Sequence, residues 1–109
     1  MKLYVCGPMS NLPEKNFPAF NKAAEQLRAI GFEVVNPVDL NPDPDASWQE
    51  CMKVDIREML LCDGLAWLPG TRYSNGATIE RELARTLGLE CLPLQAWLFR
   101  KGLHREVGS

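Results

Sequence analysis

The sequence predicts an α/β domain in which a parallel sheet of four or five strands lies between two layers of helices. Short apolar runs alternate with longer amphipathic segments in the order βαβαβαβ, and Gly or Pro residues mark most of the boundaries. The 109 residues suffice for one core, and the hydrophobic fraction of 46% is ordinary for a globular protein. We therefore expect a three-layer sandwich of the flavodoxin or Rossmann type over residues 1–101, with a frayed tail at 102–109.

The first strand and helix are marked by an apolar run and by helix-start signals. Residues 2–6 are mostly apolar and stop at Gly7-Pro8, which predicts a buried strand ending in a turn. Asn16 is a candidate N-cap, and Pro18 lies in the first turn, where its missing N–H has no cost. A second strand is expected at 32–35.

The second half of the chain repeats this pattern after a long loop. Residues 36–46 are rich in Pro, Asp and Asn, and loops of this length often border functional sites. Ser47 and Glu50 have the spacing of a capping box. The further expected elements are a helix to about residue 61, a strand at 63–68, a helix at about 77–88, a strand at 90–94 and a last helix or turn at 95–101.

Composition excludes several classes of function. The net charge of −2, with both signs mixed along the chain, is not typical of a nucleic-acid polymer binder, and no apolar run is long enough to span a membrane. Four cysteines without a C-x-x-C pair and a single His, His104, argue against a metal site. Gly7 begins no G-x-G-x-x-G motif, so we expect no dinucleotide cofactor. Cysteines in apolar runs indicate a reducing cytoplasm.

Two acidic residues are the candidates for chemistry. Glu80 follows a polar, Gly-containing turn and is expected in or near the first turn of a helix, where backbone N–H groups would lower its pKa. It would then either only complement the helix dipole or act as a fixed carboxylate. Asp55 lies beside the apolar face of the preceding helix, either solvated at the edge of that face or directed into a crevice.

The predicted topology brings these two carboxyl groups toward one edge of the sheet. Ligands of open α/β sheets bind outside the carboxyl ends of the strands, which here lead into the loops at 7–16, 36–46 and 69–76. Glu80 follows the third loop, so Asp55 can approach it. A carboxylate pair in a cleft suits chemistry at a sugar carbon that becomes oxocarbenium-like as its bond to a base breaks.

Three motifs in this order resemble the nucleoside 2-deoxyribosyltransferase superfamily, which includes the 2′-deoxynucleoside 5′-monophosphate N-glycosidases. They are Tyr4-Val5-Cys6-Gly7-Pro8-Met9, then Asp55-Ile56-Arg57 before Cys62-Asp63, then Gly76-x-x-x-Glu80-x-Glu82-Leu83-Ala84. The resemblance covers nearly the whole chain. It is greatest to a small phage and bacterial branch of the superfamily that is defined as a domain of unknown function.

The resemblance implies a role for each matching residue. Glu80 falls on the nucleophile, Asp55 on the proton carrier for the base, and Tyr4 on the residue that lines the sugar site. Ser74, six residues before Glu80, matches a Ser that contacts the 5′-phosphate in the N-glycosidases and an Asp that holds the base in the transferases, so it favours a nucleotide. The residues expected to bind substrate or its phosphate are Gly7, Pro8, Met9, Ser10, Ser74 and Gly76. Family members commonly form homodimers, so a homodimer is expected.

Some residues depart from the family pattern and keep alternatives open. Glu82 stands where the family has a Gly, and it either adds negative charge near the site or faces away from it. Pro8 stands where the N-glycosidases have a phosphate-binding Ser. Arg72 is either an additional cation for the phosphate or a solvated loop residue. The alternatives are a nucleoside 2-deoxyribosyltransferase, a non-catalytic nucleotide-binding module, and a scaffold that uses an exposed patch at residues 97–99. That patch could equally close a homodimer.

Overall fold

A parallel sheet of four strands forms the centre of the computed structural model, which describes residues 1–99. The strand order is β2-β1-β3-β4, and every pair is parallel. The strands are β1 (Lys2–Cys6), β2 (Glu33–Val35), β3 (Gly64–Trp67) and β4 (Glu90–Pro93). The helices are α1 (Phe17–Ala29), α2 (Trp48–Met59) and α3 (Asn75–Thr86), followed by a helical segment at 94–99, here α4. The predicted three-layer α/β architecture is confirmed, and the expected tail at 102–109 lies outside the described residues.

The two faces of the sheet carry different helices. Buried side chains of α1 and α4 pack with Leu3 and Val5 of β1, whereas those of α2 and α3 pack with Tyr4 and Cys6 of the same strand. Successive side chains of a strand point to opposite faces, so this division follows from the alternation along β1. All four of these β1 side chains are fully buried. Tyr4 therefore lies on the face that also carries Asp55 and Glu80.

The strand order places a crevice at the carboxyl ends of β1 and β3. The chain leaves β1 toward β2 on one side and leaves β3 toward β4 on the other, so the connections diverge between these two neighbouring strands. Helices α2 and α3 both begin at this edge. Ser47 caps α2 as predicted, because its Oγ accepts the N–H of Glu50 at 3.1 Å.

The start of α1 differs from the sequence prediction. Asn16 precedes the helix but has φ 61° and makes no side-chain cap. Its amide instead donates to the carbonyl of Pro8 at 3.0 Å, which ties the turn before α1 to the loop after β1. Glu14 and Lys15 also have positive φ values, so three successive residues are left-handed. The expected capping role of Asn16 is therefore wrong, since its side chain is engaged elsewhere.

Trp97 of α4 is a core residue rather than part of an exposed patch. It is 1% exposed, packs edge-on against Phe32 with ring centroids 5.6 Å apart, and donates its Nε1–H to the carbonyl of Leu65 at 3.0 Å. Gly64 makes room for it, because an added Cβ there would lie 3.0 Å from Cζ2 of Trp97 and 2.9 Å from the carbonyl oxygen of Glu90. The predicted exposure of Trp97 is wrong.

Replacing Trp97 with Ala is expected to lower the free energy of unfolding by about 3–5 kcal/mol, because it leaves a cavity and removes a donor to a buried carbonyl. Urea denaturation followed by circular dichroism measures the change. Phe99→Ala is the control on the same segment, since Phe99 is 72% exposed and its removal is expected to change stability by no more than about 0.5 kcal/mol. Equal losses for the two variants would contradict this packing role.

Candidate active site

A cavity of about 480 Å³ opens at the carboxyl edge of the sheet, a size typical of small-molecule sites. Eight of the nine site residues expected from the sequence line it: Tyr4, Gly7, Met9, Ser10, Asp55, Ser74, Gly76 and Glu80. The ninth, Pro8, lines an adjoining cavity of about 640 Å³ that shares Ser10, Ser74 and Gly76 with the first. The two cavities thus form neighbouring compartments at the start of α3.

Glu80 is buried on α3 beneath the cavity. Its side chain is 5% exposed, and Oε2 accepts the O–H of Tyr4 at 2.9 Å. Glu80 was expected in or near the first turn of the helix. Ser74 caps the helix by accepting the N–H of Ala77 at 3.3 Å, so α3 begins at Asn75 and Glu80, its sixth residue, lies near the first turn but not in it. The orphan N–H groups of the first turn are therefore not its partners.

The protonation of Glu80 also differs from the prediction. Burial, and to a smaller extent the charge of Asp55, raise the pKa of Glu80 to about 8, although the hydrogen bond from Tyr4 acts in the opposite direction. The prediction of a lowered pKa is wrong, since it assumed an exposed helix start. At neutral pH the free protein keeps Glu80 largely protonated.

Asp55 lies on α2 and lines the same cavity. It is 9% exposed, and its Oδ1 accepts the Nδ2–H of Asn41 at 2.8 Å. Burial raises the pKa of Asp55 to about 6, even though the hydrogen bond from Asn41 acts in the opposite direction. Of the two alternatives for this residue, the structure has the carboxyl in the crevice. Between about pH 6 and about pH 8 the carboxyl pair holds one proton.

These raised pKa values predict that the protein loses stability as the pH rises. A carboxyl whose pKa is higher in the folded state favours folding below its unfolded pKa, and that advantage is lost as the pH rises through the folded pKa. For Glu80 the range runs from 4.5, its ordinary value, to about 8. The loss of unfolding free energy over this range is expected to be on the order of 4 kcal/mol.

Urea denaturation of wild type and Glu80→Gln at pH 5 and pH 8 measures this effect. The Gln variant cannot ionise, so its stability is expected to change much less between the two pH values. Parallel changes in the two proteins would contradict a raised pKa for Glu80.

Besides Asp55, the cavity wall on α2 contains three residues that the sequence did not mark as functional, Trp48, Cys51 and Met52. Trp48, Cys51, Met52 and Asp55 recur at helical spacing and all line the cavity. The half-exposed indole of Trp48 borders both compartments. Gly76 allows this approach, because an added Cβ would lie 3.1 Å from Sδ of Met52 and 3.5 Å from Nε1 of Trp48. The spacing of seven residues from Trp48 to Asp55 was the available sequence signal.

Charged groups at the cavity rim are mixed. Lys15, from the left-handed turn, is the basic residue among those that line the cavity, and Asp43 lies on the loop between β2 and α2. Arg72 is outside the cavity and stacks on Tyr73, with its guanidinium carbon 4.8 Å from the ring centroid. Glu82 faces away from the site, with an exposed side chain paired to Arg85 at 3.3 Å.

The described part of the chain contains neither a metal-ligand cluster nor a membrane-spanning helix. No cluster of three or more His, Cys, Asp or Glu side chains within residues 1–99 could hold a metal ion. In the same range, no helix is both long enough and apolar enough to cross a lipid bilayer. All four cysteines are free thiols.

Comparison with known proteins agrees with the fold. The family model described as "Domain of unknown function (DUF4406)" matches residues 1–92. The chain belongs to the DUF4406 family. Among solved structures, this DUF4406 protein is similar to a 2-deoxyribosyltransferase from the psychrotolerant bacterium Bacillus psychrosaccharolyticus, with a TM-score of 0.67 and 23% sequence identity, over 84% of this chain and 69% of that chain. No curated protein matches it. The resemblance predicted from the sequence is confirmed for family and fold.

Proposed function

We propose that this DUF4406 protein cleaves the N-glycosidic bond of a 2′-deoxynucleoside 5′-monophosphate. Glu80 acts as the nucleophile and Asp55 as the proton carrier for the base. The observation that carries the proposal is the pair of buried carboxyl groups in one cavity of about 480 Å³, with the hydroxyl of Tyr4 donating to Glu80 at 2.9 Å. Enzymes that cleave bonds at an anomeric carbon commonly use two carboxyl groups with different environments.

The reaction proceeds in two steps. In the first, a carboxylate oxygen of Glu80 bonds to C1′, the C1′–N bond breaks, and its electron pair stays on the base, which takes a proton from Asp55. In the second, water attacks C1′ of the resulting ester and gives its proton to Asp55 while Glu80 leaves as a carboxylate. The products are the free base and 2-deoxyribose 5-phosphate. Tyr4 holds Glu80 in position through both steps.

The protonation of the pair supports this scheme. With pKa values of about 8 for Glu80 and about 6 for Asp55, the free protein at pH 7 contains the single proton that the first step needs. That proton resides mainly on Glu80 and has to move to Asp55. The difference between the two pKa values corresponds to a free-energy cost of about 3 kcal/mol for this transfer. The hydrogen bond from Tyr4 and the positive charge that develops at C1′ both stabilise ionised Glu80, so they reduce this cost.

The preference for a 5′-monophosphate is supported by donors at the start of α3. The amides of Asn75 and Gly76 occupy the first two helical positions and have no intrahelical acceptor, which makes them suitable for an anion. Ser74 and Ser10 contribute hydroxyl groups at the same place, and Lys15 contributes a positive charge at the rim. The carboxyl groups in the cavity repel a phosphate, so it is expected at this end, away from Asp55.

Base exchange is the second candidate reaction. The solved structure reported above is of a 2-deoxyribosyltransferase, and its fold is shared by this chain. The same ester on Glu80 would serve both reactions, since a second base can replace water as the attacking group. Which acceptor reacts depends on whether water or a base reaches C1′ more readily.

The test is incubation with a panel of 2′-deoxynucleosides and their 5′-monophosphates, with free base measured by chromatography. We expect release from at least one monophosphate at a higher kcat/KM than from the matching nucleoside. A second free base added to the same reactions would give a new nucleotide if exchange occurs. Release from no member of the panel would contradict the enzymatic proposal, and calorimetric binding without release would instead favour the non-catalytic nucleotide-binding module.

We also propose that the protein is a cytoplasmic homodimer. Its four free cysteines stay reduced in the cytoplasm. Burial of Trp97 takes this residue out of the patch at 97–99 that was expected to mediate self-association. The exposed apolar side chains include Phe99 of that patch, and Leu61, Ile79 and Leu87 on or next to α2 and α3. Sedimentation equilibrium measures the mass in solution, and a monomer at all concentrations would contradict the dimer.

A further inference from the structure

Asn41 contacts the proton carrier of the proposed reaction, although the sequence marks only its loop, residues 36–46, and not Asn41 itself. Its Nδ2 donates to Oδ1 of Asp55 at 2.8 Å, and both residues line the cavity. Within residues 1–99 this is the hydrogen bond that the Asp55 carboxyl makes with protein. An amide N–H can only donate, so Oδ1 must accept, and any proton on Asp55 is then carried by Oδ2.

The loop that carries Asn41 is held by hydrogen bonds within itself and to α1. Asn36 is 4% exposed, donates to Oδ1 of Asn21 at 2.9 Å, and accepts the N–H of Val38 at 3.2 Å. A short 3-10 turn, Pro37–Asp39, follows, closed by the N–H of Leu40 on the carbonyl of Pro37 at 3.1 Å. Asn41 follows this turn, which therefore helps to place its side chain beside Asp55.

We propose that Asn41 is a positioning residue for Asp55: it occupies Oδ1, keeps the proton on Oδ2, and favours release of that proton. The inference rests on the proposed function, in which Asp55 alternately gives and takes a proton. A carboxyl that can rotate freely would present either oxygen to the base. The bond from Asn41 removes that freedom, so the proton carrier meets the leaving base in one orientation.

Other titratable groups surround Asp55 in the cavity. Glu80 approaches from α3, Tyr4 from β1 and Cys51 from the preceding turn of α2, while Asp43 and Lys15 lie at the cavity rim. Below about pH 8, Glu80, Tyr4 and Cys51 are mainly neutral. In that pH range Asn41 is therefore the direct hydrogen-bond partner of Asp55. The charged groups left at the cavity rim are Asp43 and Lys15, which have opposite signs.

The titration of Asp55 by carbon-13 NMR of its carboxyl group tests this inference without any turnover. In Asn41→Leu, which lacks the donor, we expect the midpoint to move upward by about one pH unit, because the lost bond stabilises the ionised form. In Asn41→Asp, which replaces the donor with a second carboxylate, we expect a larger upward movement. Asp39→Asn, an exposed site on the same loop, is the control and should leave the midpoint within a few tenths of a pH unit.

The direction of the change decides the role of the amide. A midpoint that stays unchanged or falls in a folded Asn41→Leu variant would overturn the inference, since a fall would mean that Asn41 accepts from a protonated Asp55. Asn41→Ala is measured beside it, and circular dichroism establishes that each variant is folded. If neither apolar variant folds, Asn41→Asp decides by the same criterion, and an unmoved midpoint there overturns the inference.

Kinetics give the second arm of the test. For Asn41→Leu we expect kcat to fall about tenfold with little change in KM, and the acidic limb of the pH profile to move to higher pH with the NMR midpoint. Turnover with an unmoved acidic limb would overturn the positioning role and leave the proposed function intact. Absence of turnover in wild type would remove the proposed function, while the NMR titration would still decide whether Asn41 controls Asp55.

Discussion

Glu80→Gln is expected to abolish base release and, at the same time, to make the folded protein more stable. An amide cannot form the ester with C1′ that the proposed first step requires, so kcat is expected to fall by about 10⁴-fold or more. The Gln carbonyl can still accept the hydroxyl of Tyr4, which donates at 2.9 Å in the wild type, so the local structure is expected to persist. Chromatographic measurement of free base gives the loss of activity.

The gain in stability has the same cause as the raised pKa. Burial makes the ionised form of Glu80 unfavourable, with a pKa of about 8, whereas the unfolded chain ionises near the ordinary value. At pH 7, the Gln variant does not have the free-energy cost of keeping a buried carboxyl protonated. Its free energy of unfolding is therefore expected to be higher by on the order of 3 kcal/mol. An active site that destabilises its own fold is a common compromise between stability and function.

Glu82→Gln is the matched control for this experiment. Glu82 lies two residues further along α3, has an exposed side chain, and pairs with Arg85 in solvent. We expect its activity to stay within about twofold of wild type and its stability to change by no more than about 0.5 kcal/mol. Comparable loss of base release in the two variants would contradict a specific role for Glu80.

Asp55→Asn is expected to reduce base release by about 10²–10⁴-fold, because the leaving base then departs without a proton. Asn can still accept the Nδ2–H of Asn41 through its side-chain carbonyl, so the geometry is retained. The loss is expected to be much smaller for a substrate with an acidic leaving group, which needs no protonation. Rates for such an activated substrate and for a natural nucleotide, measured side by side, separate proton transfer from binding.

The pH profile of activity tests the role of Asp55 as proton donor independently. Wild type is expected to show a bell-shaped pH profile of kcat/KM with limbs near pH 6 and pH 8, the pKa values of the carboxyl pair in the free protein. Below the lower limb Glu80 cannot attack, and above the upper limb Asp55 has no proton. In Asp55→Asn the alkaline decline is expected to disappear. Glu50→Gln, an exposed acidic residue on the same helix, is expected to keep both limbs, and an unchanged profile in Asp55→Asn would contradict the assignment.

Much of the fold followed from local patterns in the sequence. The buried strand at Lys2–Cys6 and the cap at Ser47 depend on neighbours within a few residues, and the structure agrees with both. The edge of the sheet at which Asp55 and Glu80 meet followed from topology, because parallel strands with helical connections bring their carboxyl ends together. These features required no knowledge of distant contacts.

The errors arose where a distant contact decides the outcome. The pKa of Glu80 depends on burial under the cavity and on Asp55, not on its distance from the helix start. Trp97 is buried because Gly64, 33 residues earlier, leaves space for its ring. Asn41 stands in a polar loop like its neighbours, and only the folded chain brings it to Asp55. Such pairings carry no local signal in one sequence.

The most direct test of the central claim is to look for the ester on Glu80. A 2′-fluoro analogue of the best nucleotide in the panel would slow the second step, because fluorine destabilises the positive charge that develops at C1′. After a brief reaction and acid quench, peptide mass spectrometry locates any added sugar phosphate. We expect one equivalent on the α3 peptide at Glu80, together with one equivalent of free base. A full equivalent of free base with no added mass on that peptide would contradict nucleophilic attack by Glu80.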